Sequence, residues 1–282
     1  MPDLTLPVIR LQASRRWRFI DLEELWHYRE LIYFLTWRDI KVRYKQTAIG
    51  IVWAVLQPIA MMAVFTLFFG KLAKLPSDGV PYPVFTFCAL LPWQVFSRSI
   101  SDSANSLVTD QRLISRVYFP RIIVPTASIV GSLMDFLISF SLFLIVMAWY
   151  GIAPTLNVVF LPVFLLLMMM TALGMGYWLS ALNIEYRDVV YALPFISQIW
   201  MFLSPVVYSS SLVPAKYRLL YGLNPMAGVI DGFRWALLGV GPGPSPMLLA
   251  SGCISVALFV SGIFWFRGRE RTFADAIGSG GR

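Results

Sequence analysis

Residues 29–58 read RELIYFLTWRDIKVRYKQTAIGIVWAVLQP: a charged segment studded with Trp and Tyr runs into an uncharged apolar stretch, with only Gln46-Thr47 between them. From Leu22 onward, Leu22, Trp26, Tyr33, Trp37, Ile40 and Tyr44 fall within roughly 60° of one another at 100° per residue, with Arg38, Asp39 and Lys45 on the other side. This pattern predicts an amphipathic helix lying on a membrane surface, joined to a transmembrane helix that starts near Ala48. Six apolar spans follow, at about Ala48–Gly70, Val84–Val108, Ile122–Tyr150, Leu156–Leu182, Val189–Tyr208 and Pro246–Phe266. Each reaches the roughly 20 residues needed to cross a hydrocarbon core of about 30 Å. The second is the least apolar. The expected fold is therefore an all-α integral membrane protein. Residues 1–47 form an N-terminal arm, 48–266 a six-helix transmembrane domain, and 267–282 a tail.

The connections differ in character. KLAKLPSDGVPYP (71–83) is a turn-rich loop and Gly151-Ile-Ala-Pro-Thr155 a short turn, both expected outside; Asn183-Ile-Glu-Tyr-Arg-Asp188 is a short inner turn. In residues 209–245, Asn224-Pro225 caps a predicted helix at about Met226–Leu238, which Gly241-Pro-Gly-Pro-Ser-Pro246 ends. That helix is too short to span, so it is expected to lie in or re-enter the outer leaflet.

Composition supports a membrane protein. Of 282 residues, 58% are hydrophobic and only 13% charged, against about a quarter charged in soluble domains. The net charge of +8 raises the question of nucleic acid, but placement answers it. Basic residues crowd the arm (Arg10, Arg15, Arg16, Arg18, Arg29, Arg38, Lys41, Arg43, Lys45) and the tail (Arg267, Arg269, Arg271, Arg282), whereas the outer connections hold only Lys71, Lys74, Lys216, Arg218 and Arg234. This bias predicts both termini in the cytoplasm, facing anionic lipid, and no nucleic-acid partner. The start MPDLTLPVIRLQASRRWRF has no apolar core before its charges, so no cleavable signal peptide is expected.

Catalytic patterns are missing. There is no Gly-x-x-x-x-Gly-Lys-[Ser/Thr] phosphate loop and no Gly-x-Ser-x-Gly elbow. His27 is the only histidine, and Cys88 and Cys253 sit in apolar spans as small hydrophobes, so no metal site and no cofactor is expected in this chain. What remains is a set of polar features in and beside the membrane. Counted from the outer start of span two, Arg98 lies about 21 Å down, within snorkelling reach of the inner interface, with Asp102 one turn on as its neighbour. Asp135 lies about 20 Å into span three, where a carboxylate needs a partner or a wet cavity. On this count Arg98 and Asp135 sit at different heights and are not expected to pair. Span one carries Trp53, Gln57, Met61 and Val64 on one face, and span five Tyr191, Phe195, Gln198 and Phe202. Such stripes are usually buried core, but aromatic planes with scattered amides also suit sugar rings, so the lining of a pathway is the second reading. The inner segment Thr109–Arg121 mixes cations with Leu113, Ile114, Val117, Tyr118 and Phe119 before Pro120, which suits a short helix docking on another protein or a solvated interfacial loop. The N-terminal helix reads as a membrane anchor, or as an anchor that also shapes the inner entrance of a pathway.

The runs Trp37-Arg-Asp-Ile-Lys-Val-Arg-Tyr-Lys-Gln-Thr47, Leu56-Gln-Pro58, Leu91-Pro-Trp93, Val117-Tyr-Phe-Pro-Arg121, Tyr186-Arg-Asp188, Ser204-Pro205 and Leu223-Asn-Pro225 resemble, in order, the permeases of ABC transporters that export bacterial polysaccharides and teichoic acids. The resemblance runs from about residue 22 to Phe273-Ala-Asp275. It implies a multi-pass protein of the bacterial cytoplasmic membrane that works as a homodimer with two ATP-binding subunits, which bind the ATP and Mg²⁺. The substrate it implies is a lipid-linked glycan of the O-antigen, capsule or teichoic-acid type. It also implies that Trp37, Arg38, Lys41, Arg43 and Lys45 belong to a gate or interface helix. Arg112, Leu113, Ile114, Arg116, Tyr118 and Phe119 would form the coupling helix that docks on the ATPase. Trp53, Gln57, Tyr191, Phe195, Gln198 and Phe202 would line the channel, and the helix after Asn224-Pro225 would be a re-entrant helix guarding the exit. The pyrophosphate of the lipid carrier is expected to be drawn to a cationic inner mouth of Arg38, Lys41, Arg43 and Lys45. A drug- or lipid-exporting permease of the same fold and a membrane-embedded glycolipid-processing enzyme are the rival readings.

Overall fold

A computed structural model describes residues 26–45, 50–270 and 273. Leu22, Ala274 and Asp275 of the readings above lie outside the described residues, as do the Gln46-Thr47 junction and the side chain of Lys45. The described residues form helices and connecting turns, with no strand among them.

The α-helices of six residues or more are α1 (Arg29–Lys45), α2 (Gly50–Phe65), α3 (Tyr82–Thr109), α4 (Gln111–Arg116), α5 (Ile123–Trp149), α6 (Leu161–Glu185), α7 (Val189–Leu203), α8 (Pro225–Leu238) and α9 (Pro246–Arg269). α2 continues through a π-helical stretch, Thr66–Leu72. Local chemistry sets several starts. Pro225 and Pro246 occupy the first helical position, where a missing N–H costs nothing. The preceding Asn224 and Ser245 side chains accept the exposed N–H groups of Met226 and Leu248. Gly239, at φ +71°, closes α8 in the left-handed conformation that glycine adopts freely.

Four stretches among the described residues are long and apolar enough to cross a membrane: Val52–Leu72, Ile123–Trp149, Leu156–Glu185 and Pro246–Arg269. α3, of 28 residues, is the central helix. It packs against α5, α6 and α8, with α2 and α7 on its flanks, and is buried over most of its length. That position explains why it is the least apolar of the expected spans: its serines meet other helices rather than lipid, as in the 2.5 Å Ser99–Ser132 hydroxyl contact with α5. α7 has 15 residues, about 22 Å of helix, with Pro194 inside it, and the chain continues beyond it through Ser204-Pro205. The expectation of six crossings therefore rests on four apolar helices and on α3 and α7.

α6 and α9 form the most extensive helix pair. A Cβ at Gly174 would lie 2.5 Å from the backbone of Leu258, so the two backbones approach closely only because glycine stands there. Thr171 donates to Ser255 (3.0 Å), and Trp178 stacks on Trp265 with ring centres 4.1 Å apart.

α8, the short helix expected to lie in or re-enter the outer leaflet, is packed inside the bundle. All its residues except Trp235 are buried, because it inserts between α3, α6 and α9. Arg234, counted above with the outer loop charges, is only 2% exposed. Its guanidinium sits 3.6 Å over the Phe85 ring and donates to the carbonyls of Val206 and Tyr208. Those carbonyls belong to a non-helical stretch that has no ladder of its own, and with the buried Asp231 carboxylate 3.9 Å away they accommodate the buried cation.

At the end of the bundle that carries α4, a second apolar cluster joins Leu35 of α1, Leu107 of α3, Ile114, Phe119, Ile123 of α5 and Phe266 of α9. Phe273 stacks edge-on against Phe266 (5.3 Å), which ties the chain beyond α9 to this cluster.

Candidate functional site

Three groups of candidate residues occupy distinct places. The first is the pair of stripes on α2 and α7. α2 buries Pro58 and Phe65, and α7 buries Leu193, Ser197 and Met201 at a spacing of four. The opposite faces are open. Trp53 is 58% exposed, Tyr191 83% and Phe195 67%, and Gln57, Gln198 and Phe202 are exposed as well. Both helices flank α3, where Trp200 of α7 meets Phe96 edge-on at 5.1 Å. None of the six residues is packed as core within this chain. Each stripe is an apolar surface interrupted by an amide.

The second group is on α1. Thr36 donates to the carbonyl of Ala127, and seven residues on, Arg43 reaches Asp135, eight residues on along α5. The two helices therefore run side by side over this stretch. The reason is electrostatic. Asp135 needs a partner, and α1 brings it two: the Arg43 guanidinium at 2.5 Å and the Tyr44 hydroxyl, which donates to its other oxygen. Arg43 also donates to Asp102 at 2.5 Å, so one side chain joins α1, α3 and α5. Burial and the bond to Asp135 both push the Tyr44 phenol above its ordinary pKa. The face that α1 turns to the bundle is Leu31, Leu35, Asp39 and Arg43; of the aromatic stripe, Trp26, Tyr33 and Trp37 point away from it, Ile40 is half-buried and Tyr44 turns in to Asp135.

Arg98 lies 3.6 Å from Asp135 and 3.9 Å from Asp102, which corrects the expectation that Arg98 and Asp135 sit at different heights. The first apolar residues of span three do not mark where its lipid-facing part begins. Ile122, Ile123, Val124 and Ala127 are covered by protein in the α4-end cluster, and exposed apolar side chains begin only at Met134. The helix starts well before any lipid-facing part does.

Arg38 grips Asp110 with two bonds, at 2.8 and 2.6 Å, and also bonds Asp39. The bond to Asp110 holds its guanidinium above the ordinary arginine value. The cationic mouth expected of Arg38, Lys41 and Arg43 is thereby reduced. Arg38 and Arg43 are matched by carboxylates, and Lys41 is the exposed cation, 5.2 Å from the Trp37 ring.

The third group is the segment from α4 to Arg121. Ile114 (7% exposed) and Phe119 (5%) are turned into the chain's own core, so they are not surfaces for a partner. Arg112, Arg116 and Tyr118 face outward, Tyr118 at 81% exposure, and Leu113 is half-buried. Arg121 fixes the end of the segment: its backbone N–H donates to the Glu270 carboxylate and its guanidinium to the Glu270 carbonyl.

One junction escaped the sequence reading. Asn224 caps α8, accepts from the Trp200 indole (2.9 Å) and donates to Ser204 (2.9 Å). Ser204-Pro205 and Leu223-Asn-Pro225, noted as separate motifs, are two sides of one contact. An Asn-Pro pair next to a predicted helix signalled the cap alone.

The profile of the family described as ABC-2 type transporter matches residues 30–238. The chain is 30% identical to the O-antigen export system permease protein RfbA of Myxococcus xanthus, over 91% of this chain and 98% of that protein. It is 26% identical to the protein of the same name from Klebsiella pneumoniae, over 73% of this chain and 79% of that one. It is 24% identical to the polysialic acid transport protein KpsM of Escherichia coli, over 83% and 91%.

Proposed function

The chain belongs to the ABC-2 type transporter family, and from that premise we propose that it is the permease subunit of an exporter that moves a lipid-linked polysaccharide across the bacterial cytoplasmic membrane. It is a transport permease and no enzyme in itself. A homodimer of the chain encloses the pathway, and two partner subunits bind ATP and Mg²⁺ and hydrolyse the nucleotide. The end carrying α1 and α4 faces the cytoplasm, in keeping with the basic arm and tail.

The observation that carries this reading is the exposure of the α2 and α7 stripes. A glycan cannot cross hydrocarbon, because each hydroxyl stripped of water without a new partner costs about 2–7 kcal/mol. Trp53, Tyr191, Phe195 and Phe202 offer flat apolar faces to sugar rings, and Gln57 and Gln198 offer amides to hydroxyls. Two such pairs of helices brought together across a homodimer make an amphipathic conduit. Arg112, Arg116 and Tyr118 present the docking surface for the ATPase, so that its closure on ATP pushes on α4 and through it on α3 and α5. α1, held by Arg38 and Arg43, stands as the gate beside them.

Reconstitution tests the assignment. The permease and its ATPase together in lipid vesicles should export a lipid-linked glycan in an ATP-dependent manner, while the permease alone should neither hydrolyse ATP nor alter the glycolipid. Turnover of the glycolipid by the permease alone would favour an enzyme instead. ATP-driven movement of drugs or plain lipid with no glycan export would favour the other rival.

A further inference from the structure

Each inward oxygen of the two acidic residues at the α1–α3–α5 junction faces two guanidiniums. Asp102 Oδ2 has Arg43 at 2.5 Å and Arg98 at 3.9 Å; Asp135 Oδ2 has Arg43 at 2.5 Å and Arg98 at 3.6 Å. The two cations differ in where they are anchored. Arg43 is carried by α1 and leaves if α1 leaves, taking the Tyr44 hydroxyl with it. Arg98 is carried by α3, one turn before Asp102 on the same helix, and stays with the carboxylates whatever α1 does. In this structure Arg43 makes the short bonds and Arg98 waits just beyond hydrogen-bond distance of the same oxygens, its side chain 44% exposed.

A carboxylate as enclosed as Asp135, whose side chain is 11% exposed, is strongly disfavoured when it loses its cation. With Arg43 as the sole partner, withdrawing α1 would strand the enclosed Asp135 and leave the partly exposed Asp102 unpaired, and α1 would be held in place. With Arg98 in reach, a movement of about an ångström restores a normal charge-assisted bond of about 2.8 Å. The cluster then carries two carboxylates against one guanidinium of α3, a net charge of −1 where the loss of its last cation would leave −2, and the second guanidinium travels with α1. This argument rests on the reading of α1 as the gate helix.

We propose that Arg98 is a positioning residue of an exchange latch: α1 docks on α3 and α5 through Arg43, and when it undocks Arg98 closes onto Asp102 and Asp135 in its place. Arg98 thus does not hold the resting structure together. It makes release of the gate reversible during transport.

The test uses the complete exporter in vesicles, with Cys88 and Cys253 replaced and cysteines placed at Thr36 and Ala127, whose side chain and carbonyl lie 3.3 Å apart. In this parent the α1–α5 cross-link should form readily without nucleotide and fall at least threefold when ATP is trapped on the partner. Arg98→Gln should keep the cross-link high in both states and slow glycan export at least tenfold, and Arg98→Lys should recover half or more of the export. Arg43→Gln should weaken the cross-link in both states while the complex still assembles, because Arg98 then holds the carboxylates. That variant decides the matter should Arg98→Gln fail to assemble. A parent whose cross-link ignores nucleotide overturns the proposal, as does an Arg98→Gln variant that exports within twofold of the parent. Export by the parent reports separately on whether the protein is a glycan exporter at all.

Discussion

Tyr118 and Phe119 are adjacent in the chain and face opposite ways, so substituting them separates docking from folding. Tyr118→Ala should leave the permease folded and weaken its hold on the ATPase by about 2 kcal/mol or more, the cost of truncating an aromatic anchor. Pull-down of the partner subunit, with the melting temperature as control, reads both quantities. Phe119→Ala should do the reverse, costing about 3–5 kcal/mol of stability as a buried aromatic, and its loss of partner binding should follow the loss of fold. Asn224→Ala removes a helix cap worth about 1 kcal/mol and also leaves the Trp200 indole and Ser204 without their partner. The expected result is a melting temperature lowered by several degrees, with Asn224→Asp recovering part of it by accepting from Met226 and Trp200. At this scale the sequence was partly legible. The mix of cations and apolar residues in 109–121, together with the family resemblance, put Phe119 among candidate docking residues, because composition registers an apolar side chain but not which surface that side chain meets. The Asp135–Arg43 bond joins residues 92 apart in the chain, and nothing local signals it.

Elements were easier to read than contacts. The apolar runs marked α2, α5, α6 and α9 because lipid demands an uninterrupted length of hydrocarbon side chains. α3 was marked less clearly for a physical reason: a helix surrounded by protein has no need to be apolar all round, and its serines pack where lipid-facing helices carry Leu and Ile. α8 was found as a helix from its Asn-Pro start and its glycine-rich end, but its packing between α3, α6 and α9, with Arg234 on the carbonyls of Val206 and Tyr208, rests on long-range contacts that no local pattern reveals. For α1 the aromatic stripe does not act as one face: Tyr33 and Trp37 point away from the bundle, Tyr44 bonds Asp135, and packing runs through Leu35, Asp39 and Arg43. Close helix packing supplies a prediction here. Gly174→Val should force α6 and α9 apart and abolish monodisperse protein after detergent extraction. Gly131→Ala on α5, where a Cβ meets nothing within 4 Å, should leave yield and melting temperature unchanged. Equal behaviour of the two variants would show that the Gly174 approach is not what joins these helices.

Seen as a whole, the molecule is a bundle whose covered centre, α3, carries two open flanks. A single chain leaves the α2 and α7 stripes without a partner, and a conduit between two copies gives them one. If that account holds, the stripes face water and sugar during transport and not lipid tails. The most direct measurement is thiol labelling of the assembled exporter in vesicles, with Cys88 and Cys253 replaced and single cysteines placed at Trp53, Gln57, Tyr191, Phe195 and Gln198, and at Ile145 and Leu166 as exposed apolar controls on other helices. A thiol reacts as its thiolate, which forms only where water reaches it. The account predicts that a charged, membrane-impermeant reagent labels the five stripe positions, at rates that change when ATP is trapped on the partner, and spares Ile145 and Leu166. Stripe cysteines as inert as the two controls in every nucleotide state would contradict it, because α2 and α7 would then face lipid or a dry interface and the glycan would have to pass elsewhere.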